Sequence, residues 1–254
     1  MARYLLVSDF DGTIAQTFEP SPNSMAVDKA YDLAVYDLFG KKGMEAYRAS
    51  GGLRNRNPGE VVASLIERGY SKNIITVEDL VQRKLGYLLA EIGPNWPKPC
   101  QGFFQFYQVI ECMDSVEFAI LSSGHEEFIK KTFSIWGLNP PDIMLTDDDL
   151  SGYNPPLPLE LASKPSPFLF ELIQEEWGGE RKHMVMFGDD PEKDGKLAQN
   201  AGVPFGLFSR QNHCGFMENS FQFDDWREIS AFLRKETSQK LISRGVSASG
   251  IIFA

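Results

Sequence analysis

The chain is poor in cysteine and has no long apolar run, and both features limit what it can be. Its 254 residues include three cysteines, Cys100, Cys112 and Cys214, and no C-x-x-C pair. These spacings give neither an even disulfide framework nor paired zinc ligands, so we expect reduced thiols. His213 beside Cys214 lacks a second ligand pair and is not expected to bind metal. Since no apolar run reaches the length of a signal peptide or membrane span, we expect a soluble, cytoplasmic protein.

Positive charge is also in deficit. The 25 lysines and arginines face 35 aspartates and glutamates, which gives a formal net charge of −10. This balance argues against broad binding to nucleic acid or to an anionic membrane, because their phosphates would be repelled. The deficit is uneven, since the stretch from Glu19 to Glu91 carries ten acids and ten bases. Sequence signatures of serine hydrolases, dinucleotide-binding proteins and P-loop enzymes are absent.

Two aspartates stand two residues apart where a short apolar stretch near the N-terminus ends. In residues 5–13, LLVSDFDGT, the apolar residues predict a buried strand and the glycine predicts a turn. Residues spaced by two on a strand point the same way, so Asp9 and Asp11 are aimed at one spot. Their repulsion is costly unless a cation or a proton lies between them, which favours a chemical site over two surface acids beside a turn.

Two later segments place polar groups at a strand end and before a helix. The predicted strand at 118–121 ends in SSG at 122–124 and is followed by a helical pattern. Lys164 stands in a stretch rich in serine and proline, before a helix that Ser166 can cap and Pro167 can begin. The hydroxyls and the ammonium group therefore join the list of candidate site groups.

A further predicted strand, residues 184–187, runs into the segment GDDPEKD at 188–194. Asp189 follows that strand directly, and Asp194 lies five residues further on. Asp190 is expected to cap the helix that begins after it. Carboxylates, hydroxyls and an ammonium group thus all occur where an open parallel sheet binds its ligands.

With these four segments in this order, the chain resembles the haloacid dehalogenase superfamily over nearly its whole length. The resemblance implies that Asp9 is the nucleophile that forms an aspartyl-phosphate and that Asp11 is the general acid and base. It also implies that Mg²⁺ is held by the Asp9 carboxylate, the Asp11 backbone carbonyl and the Asp189 carboxylate, while Ser122 and Lys164 hold the phosphoryl group. Dehalogenases, phosphonate hydrolases and ion-pumping ATPases of the superfamily lack the second aspartate, so the resemblance favours hydrolysis of a phosphate monoester.

The charge of a phosphoryl group in transfer accounts for these residue types. Its negative charge spreads over the equatorial oxygens, so it needs a cation, an ammonium group and oriented donors around it. Backbone N–H groups of Ser123 and Gly124 at a helix start would add donors. Thr13, at the end of the first motif, and Asp194, which is expected to orient Lys164 or waters on the metal, would support the site.

The stretch between the first two motifs is predicted to be helical. NPGE at 57–60 is a capping pattern before an apolar face, Thr76 and Asp79 open another helix, and residues 31–39 have helical spacing. The resemblance implies that this insertion is a helical cap that selects the substrate. It also implies that the substrate is a small phosphorylated molecule.

A loop with two arginines joins two of the cap helices. It reads SGGLRNRNP at residues 50–58. It is either a solvated helix connection, or a segment from which Arg54 or Arg56 pairs with an anionic part of the substrate.

The remaining apolar runs predict alternating strands and helices. Strands are expected at 4–9, 118–122, 142–145, 184–187 and 204–208, and helices at 125–136, 167–177 and 192–200. This alternation predicts an α/β fold, a Rossmann-like open parallel sheet with helices on both faces. The expected domains are a core at 1–17 and 97–240, an all-helical cap at 18–96, and a tail at 241–254 that is loose or forms an added strand.

Several alternatives remain open at this point. The acidic run 147–149 is expected to be a solvated turn or helix start rather than a metal site, and His125 a solvent-facing or capping residue rather than a substrate contact. A phosphomutase shares all four motifs. A receiver-like protein is less favoured because its nucleophile belongs on a middle strand, and a non-enzymatic phosphate-binding protein because every chemical position is filled. The sequence leaves monomer and homodimer open.

Overall fold

Within the described residues, six parallel strands form one sheet. The computed structural model describes residues 3–17, 22–51, 58–70, 74–91, 97–146, 148–149, 161, 163–209 and 219–243. The strands are β1 (Tyr4–Ser8), β2 (Val116–Leu121), β3 (Ile143–Leu145), β4 (Met184–Gly188), β5 (Phe205–Phe208) and β6 (Ser220–Phe223). They lie in the order β3-β2-β1-β4-β5-β6, and every neighbouring pair is parallel. The predicted open parallel sheet is therefore confirmed.

Helices connect most of these strands. They are α1 (Pro22–Ala49), α2 (Pro58–Glu67), α3 (Val77–Glu91), α4 (Phe103–Glu111), α5 (Glu126–Trp136), α6 (Phe168–Trp177), α7 (Lys196–Ala201) and α8 (Trp226–Ser243). A 3₁₀ turn at Arg181–His183 precedes β4, and a π-helical turn at Pro191–Gly195 precedes α7. The backbone of α1 is non-helical at Gly40, so this segment consists of two helices joined at a kink. No helix in the described parts of the chain is both long and apolar enough to cross a membrane.

Successive strand residues alternate between two faces of the sheet, and each face packs against helices. Leu5 and Val7 of β1 are fully buried in an apolar cluster that includes residues of α6 and α7. Phe118 of β2 and Phe187 of β4 point to the opposite face, where their rings contact Trp226 of α8 at centroid distances of 6.2 and 5.2 Å. Both faces are therefore covered by helices, as the alternating pattern predicts.

Three elements were not predicted from the sequence. The five predicted strands occur within two residues of their expected bounds, but β6, α4 and α8 are additional. The helix expected at 192–200 begins as the π-helical turn and becomes α-helical only at Lys196. α8 extends to Ser243, three residues into the predicted tail. Residues 244–254 lie outside the described residues.

The chain divides into two compact units. The first comprises Met1–Ala15, Pro99–Gly124 and Pro141–Ala254, and it contains the whole sheet. The second comprises Gln16–Lys98 and His125–Pro140. Helices α1, α2 and α3 of the second unit share an apolar core of their own. The second unit also includes α5, which the sequence placed in the core domain; the assignment of a substrate-selecting cap stays a prediction.

Short polar side chains fix the starts of several helical segments. Thr76 and Asp79 form a reciprocal pair before α3, since Thr76 Oγ1 accepts from the Asp79 N–H at 3.1 Å and Asp79 Oδ2 accepts from the Thr76 N–H at 2.8 Å. Asp190 Oδ1 accepts from the two backbone N–H groups that begin the π-helical turn, at 2.9 and 3.1 Å. Asp149 Oδ2 accepts from the backbone N–H of Thr146 at 2.8 Å. The roles of Thr76, Asp79 and Asp190 are those expected from the sequence, and the bond of Asp149 fits the turn or helix start expected for the acidic run.

A buried aspartate holds the start of α8. Asp225 Oδ1 accepts from the backbone N–H of Arg227 at 2.9 Å, and Asp225 Oδ2 accepts from Gln101 Nε2 at 3.0 Å. The Arg227 guanidinium also contacts this carboxylate. The hydrogen bonds from Arg227 hold the pKa of Asp225 well below its usual range.

Replacing Asp225 by alanine is expected to lower the free energy of unfolding by ~1–2 kcal/mol at neutral pH, because α8 loses its cap. The depressed pKa means that the carboxylate stabilises the fold above the unfolded pKa, near pH 4, and that this contribution is lost as the pH falls further. Urea unfolding measured at several values between about pH 7 and pH 3 should show this. The difference in the free energy of unfolding between the wild type and Asp225→Ala should become smaller as the pH falls. Asp224→Ala, at the exposed neighbouring acid, is the control. A difference that stays constant with pH would contradict a role for the charge.

Candidate active site

The predicted site residues lie at the carboxyl edge of the sheet. Asp9 follows β1, Ser122 follows β2, and Asp189 follows β4. Because β1 pairs with both β2 and β4, these three strand ends are neighbours. The direction of the strand order reverses here, and open α/β sheets bind ligands at such a point.

A lysine joins two of the carboxylates. Lys164 Nζ contacts Asp9 Oδ1, and it lies 2.8 Å from Asp194 Oδ1. The side chains are only 6%, 11% and 3% exposed for Lys164, Asp9 and Asp194. Charges this deeply buried are tolerated only when they are paired. The expected link between Asp194 and Lys164 is therefore present as an ion pair.

Burial and mutual repulsion shift the pKa values of these groups. Burial raises the pKa of Asp9 well above its usual value, although the attraction of Lys164 opposes the rise. Burial acts to lower the pKa of Lys164, but Asp194 and Asp9 outweigh it and the net effect is a rise. Burial, followed by repulsion from Asp194, raises the pKa of Asp189 to about 7. The raised pKa values mean that the charged forms of Asp9 and Asp189 are unfavourable here, and a cation between these carboxylates would stabilise the charged forms.

Three carboxylates are close enough to share a metal ion. Asp9, Asp189 and Asp194 each offer an oxygen, and these oxygens lie within 4.8 Å of one another. Both oxygens of Asp194 are already engaged, Oδ1 with Lys164 and Oδ2 with the backbone N–H of Asp190 at 3.3 Å. Asp9 and Asp189 are therefore better suited to bind a cation. Carboxylate oxygens are hard ligands, so this donor set fits Mg²⁺.

Two glycines allow these carboxylates to approach the backbone. Gly12 has a φ of 83°, and a Cβ there would lie less than 3.0 Å from Asp189 Oδ2. A Cβ on Gly188 would lie less than 3.0 Å from Asp194 Oδ2. Any other residue would push the carboxylate out of its place. The sequence predicts Gly12 only as a turn residue, but its second role is to make room for Asp189.

The second motif presents a hydroxyl beside Asp11. Ser122 is buried, and its Oγ accepts from the backbone N–H of Gly124 at 2.9 Å. A hydroxyl that accepts a hydrogen bond keeps its own hydrogen to donate. A Cβ on Gly124 would lie 3.1 Å from Ser122 Oγ and 3.3 Å from Asp11 Oδ2, so both side chains face the same space. Ser123 is exposed. The Gly124 N–H donates to Ser122 Oγ in this structure, and its expected role as a phosphate donor stays a prediction.

Thr13 is held by a residue that the motifs do not contain. Its side chain is fully buried, and Oγ1 has no hydrogen-bond partner among the described residues. Its backbone carbonyl accepts from the indole Nε1 of Trp226 at 2.9 Å. Sequence reasoning missed Trp226, because a donor to a backbone carbonyl leaves no residue pattern to recognise.

The other candidate residues have mixed outcomes. His125 is buried, so the solvent-facing alternative expected from the sequence is wrong; the residue is the N-cap of α5, although its side chain makes no capping hydrogen bond. Cys100 is buried and Cys112 is exposed, and neither of these described cysteines forms a disulfide. Five residues that the sequence analysis considered lie outside the described residues. They are Arg54, Arg56, Asp147, His213 and Cys214.

Solved structures of low sequence identity share this fold. CbbY from Rhodobacter sphaeroides, in complex with phosphate, is 16% identical with a TM-score of 0.63, covering 89% of this chain and 96% of its own. The proposed HAD-hydrolase YfnB from Bacillus subtilis, bound to magnesium, is 18% identical with a TM-score of 0.57, covering 91% and 99%. A proposed β-phosphoglucomutase from Thermotoga maritima is 15% identical with a TM-score of 0.55, covering 91% and 99%.

Sequence comparison adds a match confined to the last two motifs. No curated protein matches the chain. The family model described as HAD-hydrolase-like matches residues 161–213, which contain Lys164, Asp189 and Asp194. The chain is therefore similar to haloacid dehalogenase-like hydrolases in the segment 161–213, and the solved structures share its fold.

Proposed function

We propose that the protein is a Mg²⁺-dependent phosphatase that hydrolyses a small-molecule phosphate monoester through an aspartyl-phosphate on Asp9. The observation that carries this proposal is the buried contact of Lys164 with Asp9 and Asp194, next to Asp189. The likeness to a phosphate-bound and to a magnesium-bound structure supports the choice of ligand and ion.

The residues that would hold Mg²⁺ are Asp9, Asp189 and the backbone carbonyl of Asp11. When bound, the ion supplies positive charge that offsets the repulsion between the Asp9 carboxylate and the substrate phosphate. Lys164 adds a second positive charge from the protein itself. Asp194 keeps this ammonium group in place through the 2.8 Å contact.

Asp9 Oδ2, the oxygen that Lys164 does not contact, would attack the phosphorus atom. The bond from phosphorus to the substrate oxygen breaks, and Asp11 gives that oxygen a proton. Lys164 and the Ser122 hydroxyl hold the other phosphate oxygens during transfer. In the second half, Asp11 takes a proton from a water molecule that attacks the aspartyl-phosphate, which releases inorganic phosphate and restores the Asp9 carboxylate.

Hydrolysis of p-nitrophenyl phosphate is expected to require Mg²⁺. Activity should disappear after treatment with EDTA, because Asp9 and Asp189 then repel the phosphate, and it should return when Mg²⁺ is added in excess of the chelator. Release of p-nitrophenol and of inorganic phosphate measures the effect, and enzyme carried through the same dialysis without EDTA is the control. Undiminished turnover in the chelated protein would refute the assignment.

A phosphomutase is the second candidate, favoured by the likeness to the β-phosphoglucomutase structure. A mutase moves the phosphoryl group between two hydroxyls of a sugar phosphate and returns an isomer, whereas a phosphatase releases inorganic phosphate. Incubation with a panel of sugar phosphates, nucleotides and phosphorylated acids separates the two. Isomer formed in excess of inorganic phosphate would replace the phosphatase proposal with the mutase.

A further inference from the structure

Three consecutive backbone carbonyls in the turn after Asp9 accept hydrogen bonds from residues elsewhere in the chain. The carbonyl of Gly12 accepts from the Cys100 thiol at 3.5 Å, and the carbonyl of Ile14 accepts from the Cys100 N–H at 2.7 Å. Between them, the carbonyl of Thr13 accepts from Trp226 Nε1 at 2.9 Å. Cys100 and Trp226 therefore hold the turn that follows Asp9 in place.

Internal hydrogen bonds make this turn, residues 10–15, a single unit. The N–H groups of Ile14 and Ala15 donate to the carbonyl of Phe10 at 3.0 and 2.9 Å, and the N–H of Gly12 donates to the carbonyl of Ala15 at 2.8 Å. Asp11 belongs to this unit. A shift of the turn would therefore move Asp11 and its backbone carbonyl together.

Trp226 is itself firmly placed. Its side chain is fully buried, and its ring lies 4.5 Å from that of Phe106 and 5.2 Å from that of Phe187, centroid to centroid. Its backbone N–H donates to the carbonyl of Gln101 at 3.0 Å. A buried indole N–H and a buried carbonyl are both costly when unpaired, so the bond between Trp226 and Thr13 constrains both partners.

We propose that Trp226 is a positioning residue for catalysis: its indole N–H holds the Thr13 carbonyl and so fixes the turn that carries Asp11, directly after Asp9. This rests on the proposed function, in which Asp9 and Asp11 react with the substrate. Phosphate would be held mainly by Ser122 and Lys164, which come from other segments. Loss of the bond should therefore slow the chemical step and leave substrate binding nearly unchanged.

Trp226→Phe tests this, because phenylalanine keeps an aromatic ring and removes the N–H. We expect kcat to fall by about tenfold or more with KM changed less than about twofold, since small misplacements of reacting groups have large effects on rate. Trp177→Phe is the matched control, because Trp177 is also buried and its Nε1 donates to Glu117 Oε1 at 3.1 Å on another part of the same unit. The control variant should keep wild-type kcat.

Amide hydrogen exchange of the protein without metal or substrate gives a second readout. The peptide that covers residues 10–15 should exchange faster in Trp226→Phe and at the wild-type rate in Trp177→Phe. An unchanged exchange rate together with an unchanged kcat would overturn the proposal. If the wild-type protein has no phosphatase activity, the proposed function fails, while exchange at 10–15 still decides whether Trp226 holds the turn.

Incorporation of benzothienylalanine at position 226 separates the N–H from the bulk of the ring, because sulfur replaces the indole nitrogen in a side chain of nearly the same shape. A loss of kcat like that of Trp226→Phe supports the proposal. Wild-type kcat and wild-type exchange in this protein would show that only the ring volume matters, and would overturn it.

Discussion

Asp9→Asn is expected to lower kcat by about 10⁴-fold or more while the protein stays folded. The amide has nearly the shape of the carboxylate but is not a nucleophile, so no aspartyl-phosphate can form. Since burial raises the pKa of Asp9, its ionised form is costly to keep in the folded state, and an uncharged replacement removes that cost. Phosphate release and urea unfolding measure the two effects.

Asp224→Asn, at an exposed aspartate outside the site, is the control for Asp9→Asn and should retain full activity. Mass spectrometry of the wild-type protein quenched in acid during turnover should find a phosphoryl group on the peptide that contains Asp9. Substantial hydrolysis by Asp9→Asn would exclude this residue as the nucleophile.

Lys164→Met should cost both activity and stability. Removing the ammonium group leaves Asp9 and Asp194 buried without their partner, and breaking a buried ion pair on one side typically costs ~3–5 kcal/mol. The loss of a positive charge next to the transferring phosphoryl group should lower kcat by about 10²–10³-fold. Urea unfolding and steady-state kinetics measure these effects.

A second substitution separates the two roles of Lys164. In the double variant Lys164→Met, Asp194→Asn, one of the two unpaired carboxylates is removed, so part of the lost stability should return. The activity should stay low, because the positive charge is still missing. A Lys164→Met protein that unfolds at the wild-type urea concentration would show that the buried contact does not stabilise the fold.

The sequence predicts most of the candidate site residues that lie at the ends of strands. An apolar run followed by an acid or a hydroxyl is a local pattern, and it locates Asp9, Ser122 and Asp189 on three adjacent strand ends. The link between Lys164 and Asp194 spans only 30 residues and follows from the family resemblance. These parts could be predicted because strand, turn and polar residue are contiguous in the chain.

Other features depend on contacts that the sequence does not encode locally. Trp226 and Thr13 are 213 residues apart, and an indole that donates to a backbone carbonyl imposes no residue type on its partner. The strand β6, with the sequence SFQF, lacks the continuous apolar run by which the other strands were predicted. The sequence could not choose between a solvent-facing and a capping role for His125, because its burial depends on tertiary packing.

Gly12 and Gly188 show how a position without a functional group can still determine where the carboxylates beside it lie. The carboxylate of Asp189 lies where a Cβ atom of residue 12 would be, and the carboxylate of Asp194 lies where a Cβ atom of residue 188 would be. Both carboxylates can take these places only because the two residues are glycines. A saturation mutational scan would register both glycines as functional positions, although neither has an atom that reacts or binds.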